Sequence, residues 1–170
     1  ASRAEMAAAD GVKGFCYWHY WFAGRRLLER PFNEVLQSGN PDFPFCLGWA
    51  NESWTGVWNG EPNRLLIEQT YPGESDDRAH FDFLLKAFGD HRYITVDGKP
   101  LFVIYKPLKM PEAKRRFDFW RELAIKAGLK GLYIVGVNML DFIDAAAYGL
   151  DAVAVSTLGV VNSSSSIIND

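Results

Sequence analysis

Five times along the chain, a stretch with helical spacing of apolar positions gives way, across a glycine or a turn, to a short run that is apolar almost throughout. Residues 3–9, rich in alanine, predict a helix ended at Gly11, and Val12 to Trp18 the strand behind it. Leu27 to Gln37 predicts the second helix, closed by Ser38 and Gly39, with Phe43 to Trp49 as its strand. The third pair is Ser75 to Phe88 and Leu101 to Tyr105; the fourth is Pro111 to Ala127, capped by Gly128, and Leu132 to Val137. A fifth runs from Leu140 to Tyr148, through Gly149, to Asp151 to Val155. Strands that alternate with helices predict a parallel sheet with right-handed crossovers. Because the strand runs are continuous and do not alternate with polar residues, burial of both sheet faces is expected.

Some segments break this rhythm. Asn51 to Pro72 is far longer than a βα loop requires and carries Trp54, Trp58, Glu61, Glu68 and Tyr71, which marks it as functional. Tyr93 to Pro100 predicts a small hairpin, since Asp97 and Gly98 supply the positive-φ residues of a type I′ turn. Ser163 to Ser166 is low in complexity and reads as a tail or loop. Five units in 170 residues come to about 34 residues each, against roughly 31 in an eight-unit (β/α)8 barrel. The fold class is therefore α/β: a partial barrel of the (β/α)8 TIM type with about five βα units, or an open parallel α/β sheet, in a single domain over residues 1–170.

In both architectures ligands bind at the C-terminal edge of the strands. The residues expected there are Trp18, His19, Tyr20 and Trp21, then Trp49 with Asn51, Glu52 and Trp54, then Tyr105, then Asn138. Five of the six tryptophans fall between positions 18 and 58. A sugar ring presents an apolar C–H face and a rim of hydroxyls, so flat indoles and phenols ringed by carboxylates and amides suit it. Trp18, Tyr20, Trp49, Trp54, Tyr71 and Tyr105 are the expected platforms, with His19, Asn51 and Asn138 as polar contacts. Glu52 and Glu68 are the acids placed to assist chemistry. An indole beside a carboxylate removes water from it and so favours the protonated form that a general acid needs. Two carboxylates about 5 to 5.5 Å apart would suit a retaining glycosidase, a wider gap an inverting one. Structural roles compete with these. Trp18 and Tyr20 alternate with His19, so only one side of that strand can meet a ligand. His19 equally suits a core histidine, and Glu68 a salt bridge to Arg64 or Lys106, while His80 and His91 are expected at the surface.

Composition acts mainly by exclusion. With 18 Lys and Arg against 21 Asp and Glu, the chain has no basic surface to gather phosphates, so nucleic acid is not an expected partner. No apolar run approaches the roughly 18 residues of a membrane span. Lys99, Lys106 and Lys109 read as a solvated edge. Cys16 and Cys46 stand in matching contexts, Gly14 to Tyr17 and Pro44 to Leu47, and are expected as buried free thiols at similar depths of neighbouring strands. Without CxxC spacing neither a zinc site nor a redox motif is indicated, and a reducing, cytoplasmic compartment fits. No metal or cofactor is implied.

The runs Gly14 to Phe22 (GFCYWHYWF), Leu27 to Pro31, Pro41 to Leu47, Trp49 to Trp54 (WANESW), Leu66 to Gln69 and Asp97 to Phe102 (DGKPLF) resemble the WbsX-like glycosyltransferase family. Its bacterial members are described as glycoside hydrolase family 99-like proteins of polysaccharide biosynthesis. The resemblance implies a (β/α)8 barrel acting on a glycan or sugar substrate, by transfer or by retaining hydrolysis, in the making of bacterial polysaccharide such as O-antigen or lipopolysaccharide. In the related hydrolases one carboxylate helps the sugar's own 2-hydroxyl attack the anomeric carbon, and a second serves as general acid and base. The family's paired glutamates sit in an Asn-Glu-Trp-x-Glu segment on a late strand; no such segment occurs before Asp170, and a first strand ahead of Ala1 is also missing. The chain thus reads as an internal piece holding much of a substrate cleft, open to self-association through its sheet edges. A non-catalytic carbohydrate-binding or scaffold module is the alternative.

Overall fold

A computed structural model describes residues 2–137 and 144–154, apart from the side chains of Trp58 and Pro62. Asn138, the first part of the expected 140–148 helix, Val155 and Ser163 to Ser166 lie outside the described residues.

Helix α1 (Arg3–Ala9) opens on a capping box, in which Ser2 Oγ accepts from the Glu5 N–H and the Glu5 carboxylate accepts from the Ser2 N–H. Strand β1 (Phe15–Phe22) starts later and runs further than its apolar run predicts. It turns through Ala23 and Gly24, with φ of 45° and 84°, into the antiparallel strand β2 (Arg25–Leu27). That tight hairpin takes up Leu27, expected to begin a helix, and Leu28 beyond it has a φ of 52°, so α2 starts only at Arg30 (Arg30–Ser38), with Pro31 in its first turn and left-handed Gly39 ending it. Strand β3 (Phe45–Trp49) follows. The long segment after it is a hairpin of its own, β4 (Trp54–Gly56) and β5 (Glu61–Ile67), joined by a 3-10 turn. Helix α3 (Glu74–Phe88) leads to β6 (Thr95–Val96) and β7 (Lys99–Ile104), which turn on Asp97 and Gly98 with positive φ as predicted. Helix α4 (Ala113–Lys126), β8 (Tyr133–Val137), a 3-10 turn at Ala145–Tyr148 and β9 (Ala152–Ala154) complete the described elements.

The main sheet has the order β2-β1-β3-β7-β8-β9; β1, β3, β7, β8 and β9 are parallel, as the helix and strand alternation requires. Register sorts its side chains into two faces. Tyr17, Leu47, Phe102 and Ile134 form one row, and Trp18, Gly48 and Val103 lie in a row on the opposite face. The three described crossover helices pack on the first face. Phe32 of α2 meets Tyr17 and Phe45, Phe88 of α3 meets Phe102, and Trp120 of α4 meets both Trp49 and Phe102. Leu47, Phe102 and Ile134 are fully covered there. On the other face Cys16 is exposed and Trp18 is 45% exposed. The expectation that both faces are buried is thereby corrected in part: successive right-handed crossovers lay their helices on the same side, so β7 and β8 bury only alternate positions, while β3 is buried throughout. Helices on one side form the layering of a β/α-barrel wall, whereas a doubly wound sheet carries them on both.

Candidate functional site

The open face and the C-terminal strand ends meet around Trp18. Along β1, Trp18 and Tyr20 point to this face, and Trp18 lies edge-on to Tyr105 with ring centroids 5.5 Å apart. The β4 hairpin brings Trp54 over the same edge, where Tyr20 meets it at 5.3 Å and Phe22 at 5.5 Å. Glu52, just past β3, is ion-paired with Lys106, just past β7, and the Lys106 ammonium lies 5.3 Å from the centre of the Tyr105 ring. These groups bound a cleft of about 620 Å³ lined by Trp18, Tyr20, Glu52, Trp54, Leu66 and Tyr105, among others. That is the size of a small-molecule site, mostly apolar, with four aromatic side chains and few polar groups. Burial, and next the negative charge of Glu52, raises the Tyr20 phenol pKa, so its O–H stays a donor. Lys106 was read from sequence as a solvated edge; its position two residues beyond the end of a parallel strand is the signal that could have found it.

The other expected contacts lie elsewhere. His19 and Trp49 face the helices and are buried, so the expectation of one hollow shared by all the aromatic and polar groups is corrected for them. His19 Nε2 meets His80 Nε2 at 2.8 Å, and the His80 ring stacks on Trp21. Burial, and next the charge of Arg26, pushes the His19 pKa down to about 3; burial, then His19 and Arg26, pushes His80 well below the usual range. His80 was expected at the surface, but it stands on the inner side of α3, one helical turn from Asp77 and Leu84, among the core residues. Trp49 packs on Trp120, and its Nε1–H donates to the Trp21 carbonyl.

Asn51 is 1% exposed and spends its amide on the protein itself. Its Nδ2 donates to the Lys106 carbonyl at 2.9 Å and to the Tyr71 hydroxyl at 3.1 Å, and its Oδ1 accepts from the Lys106 N–H at 2.8 Å. Asn51 and Tyr71 therefore clamp the end of β3 to the end of β7 beneath the cleft. Glu68 is exposed at the end of β5 and does not line the cleft; its expected partners are engaged elsewhere, Arg64 with Glu61 and Lys106 with Glu52. Asn138 lies outside the described residues. Among the described residues no cluster of His, Cys, Asp and Glu is placed to hold a metal, and no helix is long and apolar enough to cross a membrane.

A family model described as Glycosyltransferase WbsX matches residues 1–169. The chain is 31% identical over 150 residues to the uncharacterized protein WxcX of Xanthomonas campestris pv. campestris, in two strains, over 88% of this chain and 21% of that protein. It thus spans about a fifth of the length of these curated relatives. A solved structure described as a glycoside hydrolase-like protein superposes with a TM-score of 0.57 over 90% of this chain and 48% of that one. At 17% identity the likeness is one of fold.

Proposed function

The chain belongs to the WbsX glycosyltransferase family, and on that premise we propose that the open-face cleft is the sugar site of a carbohydrate-active domain forming part of a (β/α)8 barrel. The single observation that carries this reading is the convergence of Trp18, Tyr20, Trp54 and Tyr105 with the Glu52–Lys106 pair around one cleft. Helices on one sheet face and the glycoside hydrolase-like neighbour support the barrel.

In this reading the indoles and phenols take the C–H face of a sugar ring, the Tyr20 O–H donates to a ring hydroxyl, and Glu52 accepts from one. Lys106 holds the Glu52 carboxylate in place. A carboxylate so held can draw a proton from an attacking hydroxyl, of an acceptor in transfer or of the sugar itself in retaining hydrolysis. Glu68, expected as a second acid, stands exposed at the end of β5 outside the cleft lining and takes no part in this reading. The substrate class is a bacterial surface polysaccharide or its precursor, as in O-antigen or lipopolysaccharide biosynthesis.

The test is calorimetric titration of the chain with a panel of bacterial oligosaccharides. Trp54→Ala should weaken binding about tenfold, as loss of one aromatic platform predicts, with an unchanged circular dichroism spectrum. Equal affinities for variant and parent overturn the assignment. Because Glu52 is the single acid lining the cleft among the described residues, a non-catalytic binding module is the second reading. Saturable binding without turnover of any activated sugar donor or glycan would favour it.

A further inference from the structure

Parallel pairing of β1 with β3 ends at His19 and Trp49, so Tyr20 stands past the ladder, as do Glu52 beyond β3 and Lys106 beyond β7. This rim is the mouth of a (β/α)8 barrel, the end that meets ligand when the barrel is closed. Lys106 Nζ donates to Oε2 of Glu52, and among the described residues no protein donor meets Oε1. The same ammonium lies 5.3 Å from the centre of the Tyr105 ring. The chain's own amine thus shows the partners this corner offers a cation, a carboxylate and an aromatic face. The combination recurs in the cleft lining, where Glu52 stands with Tyr20 and Trp54, whose ring centroids are 5.3 Å apart. Burial first, and the charge of Glu52 second, raise the Tyr20 phenol pKa, so carboxylate and phenol lie within electrostatic reach of each other. Among the described residues Glu52 is the single charged side chain of that lining, and Lys106 is not part of it. Aromatic faces carry negative potential, so such a lining attracts a cation, accepts a neutral hydroxyl and opposes an anion.

Resting on the sugar-site reading above, we propose that the cleft selects a sugar bearing a free amino group and rejects a sugar acid. The ammonium of the ligand takes the open Oε1 of Glu52 and lies against Tyr20 and Trp54, as the Lys106 ammonium takes Oε2 and lies against Tyr105. A sugar acid would bring its own carboxylate beside Glu52, with no cation in the described lining to offset it. N-acetylation of the amine removes its charge and keeps the apolar face of the ring, so it separates recognition of the ammonium from stacking on the indoles and phenols.

The experiment follows the indole N–H signals of the chain by NMR while methyl hexosides of gluco, galacto and manno configuration are titrated in at about pH 6. Each sugar is supplied unsubstituted, with one hydroxyl replaced by an amine, as the N-acetyl form of that amine, and as the uronic acid. At least one amino sugar should bind about tenfold more tightly than its unsubstituted parent. N-acetylation should abolish that advantage, and so should a rise to about pH 9, where a free sugar amine is mostly neutral. Glu52→Gln should bring the amino sugar and its parent to equal affinity. Amino sugars that bind no tighter than their parents, or a uronic acid that binds tighter than both, overturn the selection and leave the sugar site standing. An amine advantage that survives in the Glu52→Gln variant overturns it as well, since the cation then sits elsewhere. Binding of no member of the series overturns the sugar-site reading together with the proposal.

Discussion

The imidazoles of His19 and His80 meet Nε2 to Nε2 at 2.8 Å, one from β1 and one from α3, inside a box of Trp21, Trp49 and Phe83. With both rings neutral, one N–H donates to the other's lone pair. The Arg26 guanidinium, 3.7 Å above the Phe83 ring, opposes any added positive charge. The contact ties β1 to α3 on the covered side of the sheet, while the neighbouring Trp18 and Tyr20 face the cleft.

This pair makes the fold acid-sensitive. Free histidine takes up a proton near pH 6.5, whereas His19 in the folded chain does so at about 3 and His80 well below its usual range. Between those values the unfolded state binds more protons than the folded one, so stability falls as pH falls. The slope is about 1.4 kcal/mol per pH unit for each histidine that is protonated only when unfolded. Denaturant titrations from pH 7 to pH 4 should show this decline, and His80→Gln should make it shallower. Parallel curves for variant and parent would show that the pair does not govern the acid limb.

Alternation along β1 was legible: Trp18 and Tyr20 had to face away from His19 whatever the fold. Which side carries the cleft was not, because that depends on the described crossover helices lying on one face. His80 was read as a surface residue because it stands at no strand end; its spacing with Leu84 and Ala87 placed it inside. Asp97-Gly98 announced its hairpin, but Ala23-Gly24 did not, because alanine at a φ of 45° is uncommon and only the paired strands enforce it. The cleft's composition of tryptophan, tyrosine and Glu52 was legible. Lys106 was not, since its role depends on β3 and β7 being neighbours.

Glu52→Gln should separate binding from stability. The Glu52–Lys106 pair is partly exposed, with side chains 38% and 35% accessible, so its loss should cost less than about 1 kcal/mol of stability. The neutral amide leaves Lys106 without its anchor and weakens the acceptor offered to a sugar hydroxyl, so glycan affinity should fall about tenfold. An affinity equal to the parent's would remove Glu52 from the site.

Trp18→Ala and Trp49→Ala should have opposite signatures. Trp49 is 2% exposed and packs on Trp120, so its truncation should cost about 3–5 kcal/mol. Trp18 is 45% exposed, so its truncation should cost about 1 kcal/mol of folding energy and instead weaken glycan binding. Urea midpoints and titrations on the same two proteins check this, and a Trp18 variant as unstable as the Trp49 variant would return Trp18 to the core.

Asn51→Ala tests whether the residue beside Glu52 acts through the backbone. Its amide satisfies both the N–H and the carbonyl of Lys106 and also the Tyr71 hydroxyl. At 1% exposure, truncation leaves those groups facing a buried hollow and not bulk water. The cost should be about 2–4 kcal/mol, since each buried group left without a partner costs roughly 1–3 kcal/mol. Freed at both backbone groups, Lys106 should also lose its alignment with Glu52, so affinity falls in the variant that remains folded, although Asn51 itself touches no ligand. A urea midpoint matching the parent's would mean that the ends of β3 and β7 are held together by the strand ladder alone, and that Lys106 reaches Glu52 without the amide's help.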